Sequence, residues 1–333
     1  MRACRRSKNT CRSPSFKNMD SNPHPSFDWS SVADRVGFSR EGLPLLSVSR
    51  PCLGAPDIEN QIGAPEEPLS ISFFRQFHLP MIRAAGVEPE GCRILEIGAG
   101  FGQLAYGTLK TIRPELYVAT DVFPQLVSVL AGNLPKWTDS AVAAAILDPQ
   151  DPPLFKARLF NVIQSHSVLH HVLDYRTAVR ALYERLASPG VLIFCEPCLD
   201  GYLFFLTAIR LFGRVVPFPE AAAAQVRLVE QYILERTGPR RADPEFLRRF
   251  GAGDKYLYSL YDLMELAEDI GVKLFVQKDG RSAKENLKFE LRLRRGDDRL
   301  LARFDAFLSE LLPEGVENAY FSDLRQVFCF RKP

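Results

Sequence analysis

Arg93-Ile-Leu-Glu-Ile-Gly-Ala-Gly-Phe-Gly102 is an apolar strand that ends in an acid and breaks into a loop with glycine at every second position. Ile94, Leu95 and Ile97 suit a buried parallel strand. Gly98, Gly100 and Gly102 let the backbone turn sharply and lie close against a flat ligand. A nucleoside cofactor is the first expectation, although a glycine turn alone is weak evidence because many strand-to-helix connections use one.

The following residue narrows the reading. In a dinucleotide fingerprint the third glycine falls at position 103 of this register, where the helix packs on the strand and its N-terminus meets pyrophosphate. Gln103 stands there instead. With glycine at 98, 100 and 102 and Glu96 just upstream, the segment resembles the first motif of class I S-adenosylmethionine-dependent methyltransferases. Two later segments resemble the small-molecule methyltransferase group of that class: Leu169-His-His-Val172 after the fourth strand, and Leu186-Ala-Ser-Pro-Gly-Val-Leu-Ile193 feeding the fifth.

That resemblance implies S-adenosyl-L-methionine as cofactor and a set of residues to hold it. Glu96, Gly98, Ala99, Gly100 and Gly102 form the loop, with Glu96 near the cationic sulfonium and amino group or anchoring the glycines. Asp121 ends the second strand, where a doubly wound sheet places the acid that accepts from ribose hydroxyls; NAD would use the same position. Val122 and Phe123 flank the adenine. Asp148, after Ile146-Leu, either accepts from the adenine amino group or caps a turn in a loop holding Pro149, Pro152 and Pro153. Ser165, at the fourth-strand exit, completes the cofactor set.

The rest of the chain fits one α/β unit with additions. Hydrophobic residues make up 46% and charged residues 25% of 333, enough for a full core, and the net charge of +2 gives no footprint for a nucleic-acid backbone. Seven scattered cysteines, an odd number without a secretory apolar run, point to a reducing compartment and a cytoplasmic protein. Cys195 and Cys198 read as structural, and no metal cluster is expected. No stretch approaches a membrane span, so stable membrane insertion is not expected. Residues 1–18 carry Arg2, Arg5, Arg6, Lys8, Arg12 and Lys17 without an acid; they fit either a transit peptide or an extended start with Met19 as initiator.

The expected fold class is α/β: a doubly wound, Rossmann-like seven-stranded sheet, mostly parallel with an antiparallel edge strand, plus a helical insert. Residues 1–68 read as an irregular arm, disordered over 1–18. Residues 69–199 form the cofactor-binding core, opening with a helix over Leu69–Ala85 that bends near Pro80. Residues 200–256 form a helical cap, and 257–333 complete the sheet through a helix at Tyr261–Gly271 and strand-like pieces at Lys273–Gln277, Lys288–Arg294 and Gln326–Arg331.

Methyl transfer from a sulfonium is an in-line displacement helped by orientation and exclusion of water. A hydroxyl or acid acceptor also needs a base, for which His166, His170 and His171 are candidates near the ligand-binding edge; packing or capping is the other role for the His-His pair. Glu196-Pro197 closes the fifth strand toward the substrate side. Tyr202, Phe204, Phe205, Phe212, Phe218, Tyr232, Phe246, Tyr256 and Tyr258 supply either an apolar acceptor cap, or ordinary helix packing or a homodimer surface. Asp151-Pro-Pro-Leu154 imitates the motif of amine-directed nucleic-acid methyltransferases but precedes the fourth strand and lacks its aromatic. The function expected is methylation of a small-molecule acceptor, at oxygen before nitrogen or carbon. An NAD-dependent oxidoreductase and a cofactor-binding scaffold without turnover are the alternatives.

Overall fold

The computed structural model describes residues 45–46, 67–149, 158–237, 256–277, 282–293, 297–312 and 324–333. Its strands are β1 (Leu45–Leu46), β2 (Arg93–Ile97), β3 (Leu116–Asp121), β4 (Ala141–Leu147), β5 (Phe160–His166), β6 (Leu186–Pro197), β7 (Leu274–Gln277) and β8 (Arg325–Lys332). They form one doubly wound sheet in the order β1-β4-β3-β2-β5-β6-β8-β7. Pairings from β1 through β6 are parallel, while β8 runs antiparallel between β6 and β7. Seven strands make the expected sheet, and the two-residue β1 extends its far edge. The strand order reverses between β2 and β5, so their C-terminal ends open a crevice where such sheets take ligands.

The helices, in chain order, are α1 (Glu67–Phe73), α2 (Leu79–Ala84), α3 (Gln103–Leu109), α4 (Pro124–Trp137), α5 (Tyr175–Arg185), α6 (Leu199–Val215), α7 (Glu220–Thr237), α8 (Leu260–Ile270), α9 (Ala283–Leu293) and α10 (Asp298–Leu311). Apolar residues on both strand faces follow from helices covering both sides. One face packs beneath α1 to α4 through Phe74, Ile94, Tyr117 and Val162. The other lies under α5 and α8 through Leu95, Ile163, Val179 and Leu266.

The helix expected over Leu69–Ala85 is interrupted at Phe74–His78 by a π-helical turn joining α1 to α2. Pro80 sits in the first turn of α2 and has no N–H to return to the carbonyl four residues back. That carbonyl, of Gln76, accepts instead from Gln277 Nε2 at 2.7 Å. The strand expected at Lys288–Arg294 is corrected: residues up to 293 belong to α9, and Arg294 lies outside the described residues. Ser282 and Glu285 cap this helix reciprocally, and Ala283, Leu287 and Leu291 bury one face, while the alternation that imitated a strand leaves Phe289 exposed.

With α6, α7 and α10, α9 builds a second apolar cluster around Phe205, Phe212 and Phe304. Tyr202 is also buried there, so Tyr202, Phe205 and Phe212 serve as its core, the helix-packing alternative to a cap. Phe246, the arm before residue 45 and the Asp151-Pro-Pro-Leu154 segment lie outside the described residues.

Candidate functional site

The glycine loop occupies the C-terminal end of β2. Gly98, Gly100 and Gly102 have φ of +64°, +55° and +86°, the left-handed region that side chains with a Cβ rarely adopt. A methyl on Gly98 would meet Val168 Cγ2 at 2.4 Å, whereas one on Gly100 would meet nothing within 4 Å. Gly98 therefore lets the chain after β5 close onto the loop. Gly100 faces open space.

Asp121 ties this loop to β3. Its Oδ2 accepts from the Gly100 N–H and its Oδ1 from the Phe123 N–H, both at 3.0 Å. Burial pushes its carboxyl above the ordinary value against the pull of these amides. The Val122 N–H also reaches this carboxylate, which keeps acceptor capacity for a ribose hydroxyl. Ala99 is buried, with its N–H bonded to the Thr120 carbonyl at 2.7 Å. Val122 is half-buried beside Asp121. Half-buried Asp148 follows β4 two residues after Ile146, which stands in register with Asp121. Ser165 pairs with Ile97 across β5 and β2, and its fully buried Oγ has no hydrogen-bond partner.

Glu96 is 2% exposed and lies under the loop. Tyr117 Oη donates to its Oε2, and Gln164 Nε2 donates to Tyr117 Oη at 3.2 Å and to Thr108 Oγ1 at 3.1 Å. Gln164 Oε1 meets His78 Nδ1 at 3.0 Å. Burial pushes the Glu96 carboxyl up to about 8; Tyr117 draws it down and the neighbouring Asp121 charge raises it. Tyr117, Gln164 and His78 were not among the expected site residues. A glutamine directly after Val162-Ile163 in a buried strand was the available signal.

The three candidate histidines separate into two environments. His166 stacks on Phe73 with ring centroids 4.8 Å apart, and burial followed by the Arg325 charge lowers it to about 4. His170 and His171 occupy the 3-10 turn Leu169–His171, with ring centroids 4.0 Å apart. His170 Nδ1 lies 2.7 Å from Glu196 Oε2 at the end of β6. Glu196 Oε1 accepts from the Val168 and Leu169 N–H groups at 3.0 and 2.8 Å. Burial alone raises the Glu196 carboxyl, but His170 and these two amides outweigh it and hold it below its ordinary value. The sequence reading placed Glu196 at the substrate side without pairing it to His170. Their separation of 26 residues gives no local periodicity that connects them.

Among the described residues no group of three or more His, Cys, Asp or Glu is placed to hold a metal ion, and no helix is long and apolar enough to cross a membrane. A nucleoside bearing a cationic amino-acid tail fits the donors and acceptors present. The Asp121 carboxylate could accept from a ribose hydroxyl, Ser165 offers an unpartnered hydroxyl, and Gly100 leaves room beside Asp121.

Residues 95–192 match the family model of a methyltransferase domain. With the sheet order and glycine loop, this section is a class I S-adenosylmethionine-dependent methyltransferase domain. A curated relative, the reducing polyketide synthase Preu2 of Preussia isomera, is 30% identical over 118 residues, which are 35% of this chain and 5% of that protein. The chain therefore matches only a small part of that relative's length.

Among solved structures, the chain is similar to an S-adenosylmethionine-dependent methyltransferase from Mesorhizobium loti, at 15% identity over 76% of this chain and 96% of that one, with TM-score 0.45. It is also similar to phosphoethanolamine N-methyltransferase 2 of Haemonchus contortus bound to S-adenosyl-L-methionine, at 16% identity over 84% and 61%, with TM-score 0.46. Neither likeness, at these TM-scores, bears on the reading of the site.

Proposed function

We propose that this chain transfers a methyl group from S-adenosylmethionine to an ionisable oxygen of a small-molecule acceptor, with His170 as the base. The carrying observation is the buried pair of His170, on the segment that closes onto Gly98, with Glu196 at the end of β6. Bound at the loop, the cofactor supplies an electrophilic methyl on a sulfonium. Asp121 binds its ribose, Val122 and Asp148 the adenine, and Glu96 the cationic end.

Glu196 accepts from Nδ1–H of neutral His170, which leaves Nε2 as the basic nitrogen. When Nε2 takes the acceptor's proton, the new positive charge faces a carboxylate already held by two backbone amides. Orientation and exclusion of water supply the rest of the rate. The buried thiols of Cys92 and Cys329 support a cytoplasmic location. Exposed Leu203, Val215 and Leu228 on α6 and α7 support an acceptor cap or homodimer surface there.

A carbon acceptor is the second reading, favoured by similarity to a polyketide synthase. Polyketide intermediates hold acidic carbons between carbonyls, and the same base can remove such a proton. Calorimetry with S-adenosylmethionine and S-adenosylhomocysteine tests the cofactor: no binding of either defeats both readings. Incubation with labelled cofactor and a metabolite extract then separates O–CH3 from C–CH3 products.

A further inference from the structure

We infer that His78 is a positioning residue of the cofactor site, acting on Glu96 through Gln164 and Tyr117. The inference rests on the reading of Glu96 as the residue facing the cofactor's cationic end. Four side chains from three strands and one helical turn meet in a buried line between sheet and helices: His78 on the π turn, Gln164 on β5, Tyr117 on β3 and Glu96 on β2.

With Glu96 ionised, their chemistry fixes every hydrogen. Gln164 Oε1 can only accept, so His78 Nδ1 is the donor at 3.0 Å. Thr108 Oγ1 donates to the Leu104 carbonyl at 2.8 Å, so it accepts from Gln164 Nε2. The other Gln164 hydrogen goes to Tyr117 Oη, which turns the phenolic hydrogen toward Glu96. Donation thus runs one way, from His78 to the carboxylate, and polarises each link in turn. Its outcome is a Glu96 held in one orientation with its charged form favoured against burial.

The π turn serves this arrangement. The extra residue in that turn resets the helical phase before α2, and His78 is fully buried at its end. Its neutral state agrees with burial, which lowers the ring to about 3, with the nearby His166 adding to the effect. Phe73, just before the turn, contacts His78 at 5.5 Å and stacks on His166. One short segment therefore touches both the support of the cofactor loop and the exit of β5. Besides Tyr117, the titratable group bearing on Glu96 is Asp121 from the same strand, whereas His166 bears on His78.

Adenosine provides the discriminating probe, because it carries the ribose and adenine but no cationic tail. Leucine in place of His78 removes the donor, while asparagine presents an N–H where Nδ1 stood. We expect His78→Leu to weaken S-adenosylmethionine binding about tenfold at pH 7.5, with adenosine affinity unchanged. The pH below which S-adenosylmethionine binding weakens should also move upward. His78→Asn should restore both, and combining His78→Leu with Glu96→Gln should add nothing to the loss from Glu96→Gln alone.

Equal loss of adenosine and S-adenosylmethionine, or no loss while Glu96→Gln weakens binding, overturns the inference. An indifferent Glu96→Gln overturns the reading of Glu96 and the inference with it. Should His78→Leu not fold, Tyr117→Phe keeps the ring, removes the donor and carries the same expectation.

Discussion

At Gly98 and Gly100, two glycines with the same backbone strain have opposite surroundings, and this separates folding from binding. Alanine at Gly98 adds a collision with Val168 to the cost of positive φ; Gly98→Ala should lower unfolding free energy by about 2–4 kcal/mol. Gly100→Ala meets no protein atom. It should cost only about 1 kcal/mol in stability yet weaken S-adenosylhomocysteine binding about tenfold, because the proposed cofactor would share the space of its methyl. Urea unfolding and calorimetry on both variants check the contrast. At Glu196 the same logic separates binding from chemistry: Glu196→Gln removes the charge that stabilises protonated His170. The turnover rate should fall about 100-fold while the KM for S-adenosylmethionine holds, as initial rates will show.

At the scale of elements, the approach of α1 to α3 decides how the segment ahead of β2 packs on the sheet. Gly107 makes this approach possible: a Cβ there would lie 2.2 Å from the Ser70 carbonyl oxygen, backbone that cannot rotate away. Gly107→Ala should cost about 2 kcal/mol and loosen the segment from Glu67 to Ala84, read as faster amide exchange across those residues. The interruption between α1 and α2 was only partly legible. Pro80 announced a break, but the placement of the π turn depended on Gln277 from a distant strand accepting the role of donor to Gln76. At α9 the period-two pattern misled because Phe289 faces outward while Asn286 and Glu290 are buried. Packing against α6 and α10 overrode the local alternation, and the Ser282–Glu285 cap was the overlooked helix signal.

For the whole molecule, burying titratable groups under the sheet makes stability depend on pH with opposing signs. His78 and His166 are lowered to about 3 and about 4, so the unfolded chain binds protons near 6.5 that the fold refuses. Their contribution is complete above pH 6.5 and is lost as pH falls toward those values. His78→Asn has no ring to protonate. Between pH 7 and pH 5 it should lose about 2 kcal/mol less unfolding free energy than the parent. Glu96 acts the other way: raised to about 8, its contribution is complete below about 4.5 and is lost as pH rises through 8. Glu96→Gln should abolish that decline between pH 4.5 and 8. Urea titrations at several pH values resolve both limbs.

The apolar runs at 93–97, 116–121 and 160–166, and the glycines after the first of them, determined the parallel sheet, its crevice and the acids at its edge. Those features are local, because strand burial, loop conformation and strand-end position are written into neighbouring residues. Tertiary structure alone decided which distant polar groups meet under or beside the loop: His78 with Gln164, Gln164 with Tyr117, and Glu196 with His170. Each of those side chains must find a partner once buried, since an unpaired polar group in an apolar interior costs more than the bond it lacks. Which partner it finds depends on how the strands and helices stack, and no spacing along the chain encodes that.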